Sequence, residues 1–107
     1  MPVTRKGDAR FLDRAPGVAV HILTDGDQIT LVEVVLEAGS VVSMHTHVSE
    51  QTGTLISGRL QFEIGGMKHD LKAGDAWMIP SNVPHEVTTI EKAVVIEAFS
   101  PPREDWR

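Results

Sequence analysis

Residues 39–51 read GSVVSMHTHVSEQ, and this segment is the most informative part of the chain because it places two histidines one residue apart. Side chains alternate between the two faces of a β-strand, so His45 and His47 would point the same way on an extended chain. Neutral imidazole is the commonest metal ligand in proteins. A third histidine, His85, follows much later, and the three together form a candidate metal site. A His-x-His pair by itself more often consists of ordinary surface or core histidines. The surrounding residues and their spacing are needed to distinguish a metal site from such a pair.

The composition predicts one ordinary globular domain covering residues 1–107. Hydrophobic residues make up 41% of the chain and charged residues 23%, which is typical of a globular protein. The net charge is −5 without a basic cluster, and this argues against nucleic-acid binding, which needs a cationic face. A small anionic substrate stays open as a partner, because a local arginine or a metal reverses the field inside a pocket.

The chain contains no cysteine, so disulfides, thiolate metal ligands and cysteine nucleophiles are excluded. Any metal must therefore be held by nitrogen and oxygen ligands. The first fifteen residues lack the apolar centre of a signal peptide, and no apolar run is long enough to cross a membrane. These absences predict a cytoplasmic protein with no membrane partner.

Short segments rich in Val, Ile, Thr and Leu alternate with Gly, Pro, Asn and Asp, and no stretch has a convincing helical period. This pattern predicts an all-β sandwich or barrel. We expect turns at Asp25-Gly26-Asp27 and Gly65-Gly66, and the C-terminal SPPREDWR leaves the strand pattern. The predicted strands are Val18–Leu23, Gln28–Leu36, Arg59–Ile64, Ala76–Ile79, Glu86–Ile90 and Ala93–Phe99.

An oxygen ligand for the candidate metal site is available just after the histidine pair, from either Glu50 or Gln51. Three imidazoles and one oxygen suit a borderline divalent ion such as Zn, Ni, Fe, Mn or Cu. A catalytic site would also keep coordination positions open for water or substrate.

The spacing of glycine, histidine and proline around these residues resembles the two motifs of the cupin superfamily. The first motif, at 39–58, is carried by Gly39, His45, His47, Gln51 and Gly58. The second motif, at 74–89, is carried by Gly74, Pro80, Asn82, His85 and Thr89. The resemblance implies a double-stranded β-helix, or jelly-roll, barrel. It also implies one divalent transition metal ion (Ni, Zn, Mn or Fe) bound by His45, His47, Gln51 and His85.

Three positions depart from the cupin motifs: Gln51 replaces Glu, Asn82 replaces Gly and Thr89 replaces Asn. Asn tolerates the left-handed conformation that a turn glycine often adopts. The neutral Gln51 matters more, because it leaves the full charge of a divalent ion on the centre and favours Lewis-acid chemistry. Glu50 stays open as the competing ligand, although on an extended chain it would point away from Gln51.

The C-terminal region holds a second candidate set of site residues. Glu97 and Phe99 share a face of the last predicted strand with Val95, and a carboxylate among apolar neighbours is unusual unless it is paired or functional. This tail resembles that of small cupins in pectin and alginate breakdown, which linearise unsaturated uronates. That resemblance implies that Glu97 is the general acid/base, that Phe99 shapes the pocket and that Arg103 holds the substrate carboxylate. Those cupins have Asp at the position of Glu97.

Three functions are compatible with this sequence. The first is a metal-dependent enzyme acting on a small acidic sugar or a related carbonyl compound. The second is an Fe- or Mn-dependent dioxygenase using the same ligands, and the third is a non-catalytic cupin that binds a small ligand. Cupins commonly dimerise, so the resemblance also implies a homodimer in which a strand around Arg10–Asp13 could exchange between subunits.

Overall fold

The structure, a computed structural model, describes residues 3–106 and consists mainly of antiparallel β-strands. Two 3-10 turns, Lys6–Asp8 and Glu104–Trp106, lie near the ends of this range. The strands are β1 (Arg10–Ala15), β2 (Val18–Asp25), β3 (Thr30–Leu36), β4 (Val41–His45), β5 (Glu50–Ile64), β6 (Met67–Lys72), β7 (Ala76–Ile79) and β8 (His85–Ser100). The predicted all-β fold is confirmed.

The long strands β5 and β8 organise the sheet. The strand order is β1-β2-β3-β8-β5-β6, with β4 also pairing with β8 and β7 with β5. The two segments predicted at Glu86–Ile90 and Ala93–Phe99 are one continuous strand. β8 passes through the polar residues Glu91 and Lys92 between them without a break. One half of β8 pairs with β4 and the other with β3.

Gly58 allows β5 to turn against β8 at the point where their pairing register shifts. Its φ of +93° lies in the left-handed region, and a Cβ at this position would lie 2.1 Å from the carbonyl oxygen of Lys92. Only glycine fits such a close backbone approach without local movement. The motif glycine therefore has a steric reason to be there.

The barrel core is built from every second side chain along the strands. Inward-facing side chains of β2, β3 and β8 are buried while their neighbours are half-buried. On β5, Leu60 and Phe62 are buried. Each fully buried side chain of this kind contributes about 1.5–3 kcal/mol of hydrophobic stabilisation.

Both predicted hairpin turns are present. The amide of Gly26 donates a hydrogen bond to the Ile29 carbonyl at 2.9 Å, closing the β2–β3 connection. Gly65 and Gly66 have φ values of +58° and +85° between β5 and β6, which suits the two-residue hairpin turn that matches strand twist.

The two ends of the described chain meet at one mouth of the barrel. β1 pairs with β2 of the same chain, and Arg10 Nη2 donates a hydrogen bond to the Trp106 carbonyl at 2.6 Å. The C-terminal turn is thereby held beside β1. Within residues 3–106, no helix has the length and apolar character needed to cross a membrane.

Candidate metal centre

The three motif histidines converge inside the barrel. His45 ends β4 and lies directly across from His85, which starts β8. His47 lies two residues beyond the end of β4, so the extended segment expected to carry both histidines ends at His45. One ligand nitrogen from each ring lies within 4.8 Å of the others. The cluster predicted from motif spacing is present as a group that could hold a metal ion.

Each of the three rings has its Nδ1 fixed by a backbone carbonyl two residues away, at 2.7–2.9 Å. A carbonyl can only accept, so these contacts place the proton on Nδ1 and leave the lone pair on Nε2. Orientation through the second ring nitrogen is the usual arrangement for metal-ligating histidines. The three carbonyls belong to Ser43, Ser49 and Val83.

His85 supplies the clearest sign that the cluster fits a cation. The residue is 1% exposed, and its Nε2 is buried without a hydrogen-bond partner. The pKa of His85 is lowered to about 4, mainly by burial and in addition by the neighbouring histidines. Burial also lowers the pKa of His45. Both rings are therefore neutral near pH 7, the form that binds metal.

Gln51 places an oxygen atom beside the histidine cluster. It is buried, and its Oε1 lies 3.0 Å from His47 Nε2. With the His47 proton on Nδ1, both of these atoms are hydrogen-bond acceptors, and a shared cation would satisfy both lone pairs. Glu50 is exposed and pairs in register with Ser100, away from the cluster.

Asn82, from the second motif, contacts the segment that contains His47. Its φ is +64°, the left-handed conformation expected for a residue that replaces a motif glycine. Its amide donates a hydrogen bond to the His47 carbonyl at 2.9 Å. The two motifs are thus joined beside the histidine cluster by a backbone contact.

Glu97 lies next to Gln51 and is 8% exposed. Its Oε2 accepts one hydrogen bond from Gln51 Nε2 and a second from Trp77 Nε1, the latter at 3.0 Å. Burial raises the pKa of Glu97, and the two hydrogen bonds oppose part of that shift. A Cβ on Gly53 would lie 2.8 Å from both Glu97 and Trp77, so this arrangement needs glycine at position 53.

The cluster opens into a cavity of about 420 Å³ lined mainly by apolar side chains. Phe99 packs its edge against His47 with ring centroids 5.7 Å apart. Arg103 lies 4.4 Å from the centre of the Trp106 ring and forms two hydrogen bonds to Asp105, at 3.1 and 2.7 Å. The Asp105 pKa is lowered, because the bonds and charge of Arg103 outweigh its partial burial.

The structure brings all seven residues of the predicted site together. His47 contacts Gln51 and Phe99, and the other six line the cavity: His45, Gln51, His85, Glu97, Phe99 and Arg103. The sequence analysis did not identify Arg14 and Trp106 as cavity residues or Trp77 as the partner of Glu97. The only sequence signal for Trp106 was a large aromatic residue in a polar tail.

A family model described as a cupin domain matches residues 32–99, well over half of the chain. The chain belongs to the cupin family. This cupin is 34% identical over 92 residues to the pectin degradation protein KdgF of Dickeya dadantii (strain 3937), covering 84% of each protein. The resemblance inferred from the two motifs and the tail is confirmed.

Two solved structures extend the comparison. KdgF from a Halomonas species superposes on this cupin with a TM-score of 0.90 at 28% identity, covering 98% of this chain and 97% of that one. An RmlC-like cupin from Shewanella frigidimarina NCIMB 400 superposes with a TM-score of 0.92 at 23% identity, covering 98% and 95%. The second likeness shows the fold alone.

Proposed function

We propose that this cupin is a metal-dependent enzyme that linearises an unsaturated uronate. The observation that carries the proposal is the unpartnered, buried Nε2 of His85, which lies within a cluster of three histidines at the wall of a cavity that also contains Glu97 and Arg103. The similarity to a pectin degradation protein supports the substrate class, because pectin is a polymer of uronate sugars.

The metal would be held by His45, His47, Gln51 and His85. It would be one divalent ion acting as a Lewis acid on a substrate oxygen. Gln51 is suited to this role because Glu97 accepts from its Nε2 and thereby turns its Oε1 toward the histidines. A neutral oxygen ligand keeps the positive charge of the centre high.

Glu97 is our candidate general acid/base. Both hydrogen bonds from the protein reach its Oε2, which leaves Oε1 for proton transfer with a substrate in the cavity. Linearisation needs a proton removed from the anomeric hydroxyl, the ring C–O bond broken, and a proton delivered to a carbon of the former double bond. A single buried carboxyl that changes protonation state can serve the first and last of these transfers.

Arg103 and Phe99 would orient the substrate. The two bonds to Asp105 use Nε and Nη2 of Arg103, so its Nη1 remains to bind a carboxylate. Phe99 is 1% exposed and separates the histidine cluster from the C-terminal turn, which gives the cavity a flat apolar wall.

The enzyme proposal is tested by incubating the protein with unsaturated galacturonate and following the loss of ultraviolet absorbance. We expect turnover by the wild type and none by the H45A/H85A double variant. Absence of turnover above background in the wild type would remove the proposal, and oxygen uptake during turnover would point to a dioxygenase instead.

We also propose that this cupin forms a homodimer through the outer face of the sheet. Several outward residues of β3 and β8, including Leu31, Val35 and Ile96, are apolar and only half-buried within one chain. A sheet face that is largely apolar is usually covered by another layer. Ile96 lies opposite Glu33, so Ile96→Lys should preserve the fold and break the dimer. Light scattering after gel filtration checks this, and a monomeric wild type would contradict it.

A further inference from the structure

Arg14 lies at a β-bulge on the edge strand β1 and lines the cavity. Along β1, Asp13 pairs with Ala19 and Ala15 pairs with Val18, so Arg14 is the one extra residue on its side of the ladder. A bulge of this kind bends the strand and redirects a side chain, and bulges are common beside active sites. The irregularity in β1 therefore coincides with a charged side chain at the wall of the candidate site.

The guanidinium of Arg14 is accessible and only loosely held. Its side chain is 39% exposed, and its one hydrogen bond within residues 3–106 goes to Asp105 Oδ2 at 3.4 Å. That distance exceeds the usual range of about 2.7–3.2 Å between an N–H donor and an oxygen acceptor. Arg103 binds the same carboxylate with two shorter hydrogen bonds, at 3.1 and 2.7 Å. Asp105 is therefore engaged mainly by Arg103.

The two guanidinium groups lie close to each other at the cavity. The Nη2 atoms of Arg14 and Arg103 contact the same oxygen, Asp105 Oδ2, at 3.4 and 2.7 Å. A carboxylate has two oxygens that can accept from separate donors, so one incoming carboxylate could contact both arginines. The chain as a whole carries a net charge of −5. A local pair of cations would therefore be needed to attract an acid to this protein.

We propose that Arg14 binds the carboxylate of an acidic sugar together with Arg103 and thereby selects uronates over neutral sugars. This inference rests on the proposed function for the substrate class. Arg103 would supply the fixed donor, because Asp105 and the ring of Trp106 hold its guanidinium. Arg14 would exchange its long contact with Asp105 for a shorter one with the ligand, and the planar fork of arginine donors matches a carboxylate.

A purely structural role for Arg14 makes a different prediction. In that role Arg14 would only hold Asp105, and through it Arg103, so R14Q would have no further effect on binding once Asp105 is replaced by Ala. In the binding role the contact with the ligand does not pass through Asp105. R14Q should then weaken binding in the D105A background as well, and a double-mutant cycle distinguishes the two roles.

The experiment measures the binding of D-galacturonate and of neutral D-galactose by titration calorimetry, for the wild type, R14Q, D105A and R14Q/D105A. R59Q is the charge-matched control, because Arg59 is exposed on β5 and is not among the residues that line the cavity. We expect R14Q to weaken galacturonate binding by about 3–10-fold in both backgrounds, between the effects of an exposed ion pair and of a hydrogen bond to a charged group. We expect wild-type galacturonate affinity in R59Q and no change in galactose binding in R14Q.

Wild-type galacturonate affinity in R14Q would overturn the inference, as would a wild type that does not bind galacturonate. An equal loss of affinity in R59Q would assign the effect to net charge, and an R14Q effect that vanishes in D105A would assign it to the support of Asp105. Either result would also overturn the inference. Failure of the proposed function looks different: galacturonate binding and its loss in R14Q would persist without turnover of the unsaturated sugar.

Discussion

Two substitutions of Glu97 distinguish the contribution of its carboxylate to stability from its proposed role in proton transfer. Its Oε2 accepts hydrogen bonds from Gln51 and Trp77 in a buried setting. Glu97→Leu leaves both donors without a partner, and each unsatisfied buried donor costs about 1–3 kcal/mol. We therefore expect the free energy of unfolding to fall by about 2–6 kcal/mol.

Glu97→Gln is the matched variant, because a carboxamide oxygen has two lone pairs and can still accept from both donors. Those hydrogen bonds become weaker without the negative charge. The cost of burying that charge also disappears, and this cost is the reason why the pKa of Glu97 is raised. We expect a stability within about 1 kcal/mol of the wild type on this account. The turnover rate should fall by about 10²–10⁴-fold, because a carboxamide cannot transfer protons as an acid or a base.

Guanidinium unfolding in the presence of a chelator measures the change in the free energy of unfolding without a contribution from metal binding. The ultraviolet assay measures the change in the turnover rate. Wild-type stability in Glu97→Leu would refute the double hydrogen bond. Wild-type turnover in Glu97→Gln would refute the assignment of Glu97 as general acid/base, whatever its stability.

Two further predictions concern acid and backbone strain. The pKa values of His45 and His85 are lowered in the folded protein, so below about pH 6.5 the unfolded chain binds more protons than the folded one. The free energy of unfolding of the metal-free protein should therefore fall as the pH is lowered from about 6.5 toward 4. Guanidinium unfolding across this range measures it, and a flat profile would contradict the prediction. Gly58→Ala should destabilise more than Gly39→Ala, because both glycines have positive φ but only the Gly58 Cβ would strike a backbone atom, that of Lys92. Thermal unfolding of the two variants decides this, and equal melting temperatures would contradict the steric argument.

The fold was largely predictable because local rules agree with the global arrangement. The apolar segments and the glycine turns placed the ends of β2 and β3 to within two residues. They predicted only the second part of β5, from Arg59 to Ile64. The continuity of β8 was not predictable from the polar residues Glu91 and Lys92, because a strand can pass through polar residues wherever they face solvent. Their exposure results from the turn of the barrel at Gly58, which depends on tertiary structure.

The site was predictable where spacing carries the information and unpredictable where distant segments meet. The histidines, Gln51 and the tail residues follow motif steps along the chain. The bond between Trp77 and Glu97 joins residues on different strands, and Arg10 reaches Trp106 across 96 positions. Such contacts depend on strand order, which no local pattern in this sequence encodes.

The central claim is that His45, His47, Gln51 and His85 hold one divalent metal ion. The direct measurement is the metal content per chain by mass spectrometry after gel filtration, for the wild type, H45A/H85A and the control His69→Ala, whose histidine is exposed on β6. We predict one ion per chain in the wild type and in His69→Ala, and none in H45A/H85A. Equal metal content in all three proteins would contradict the account.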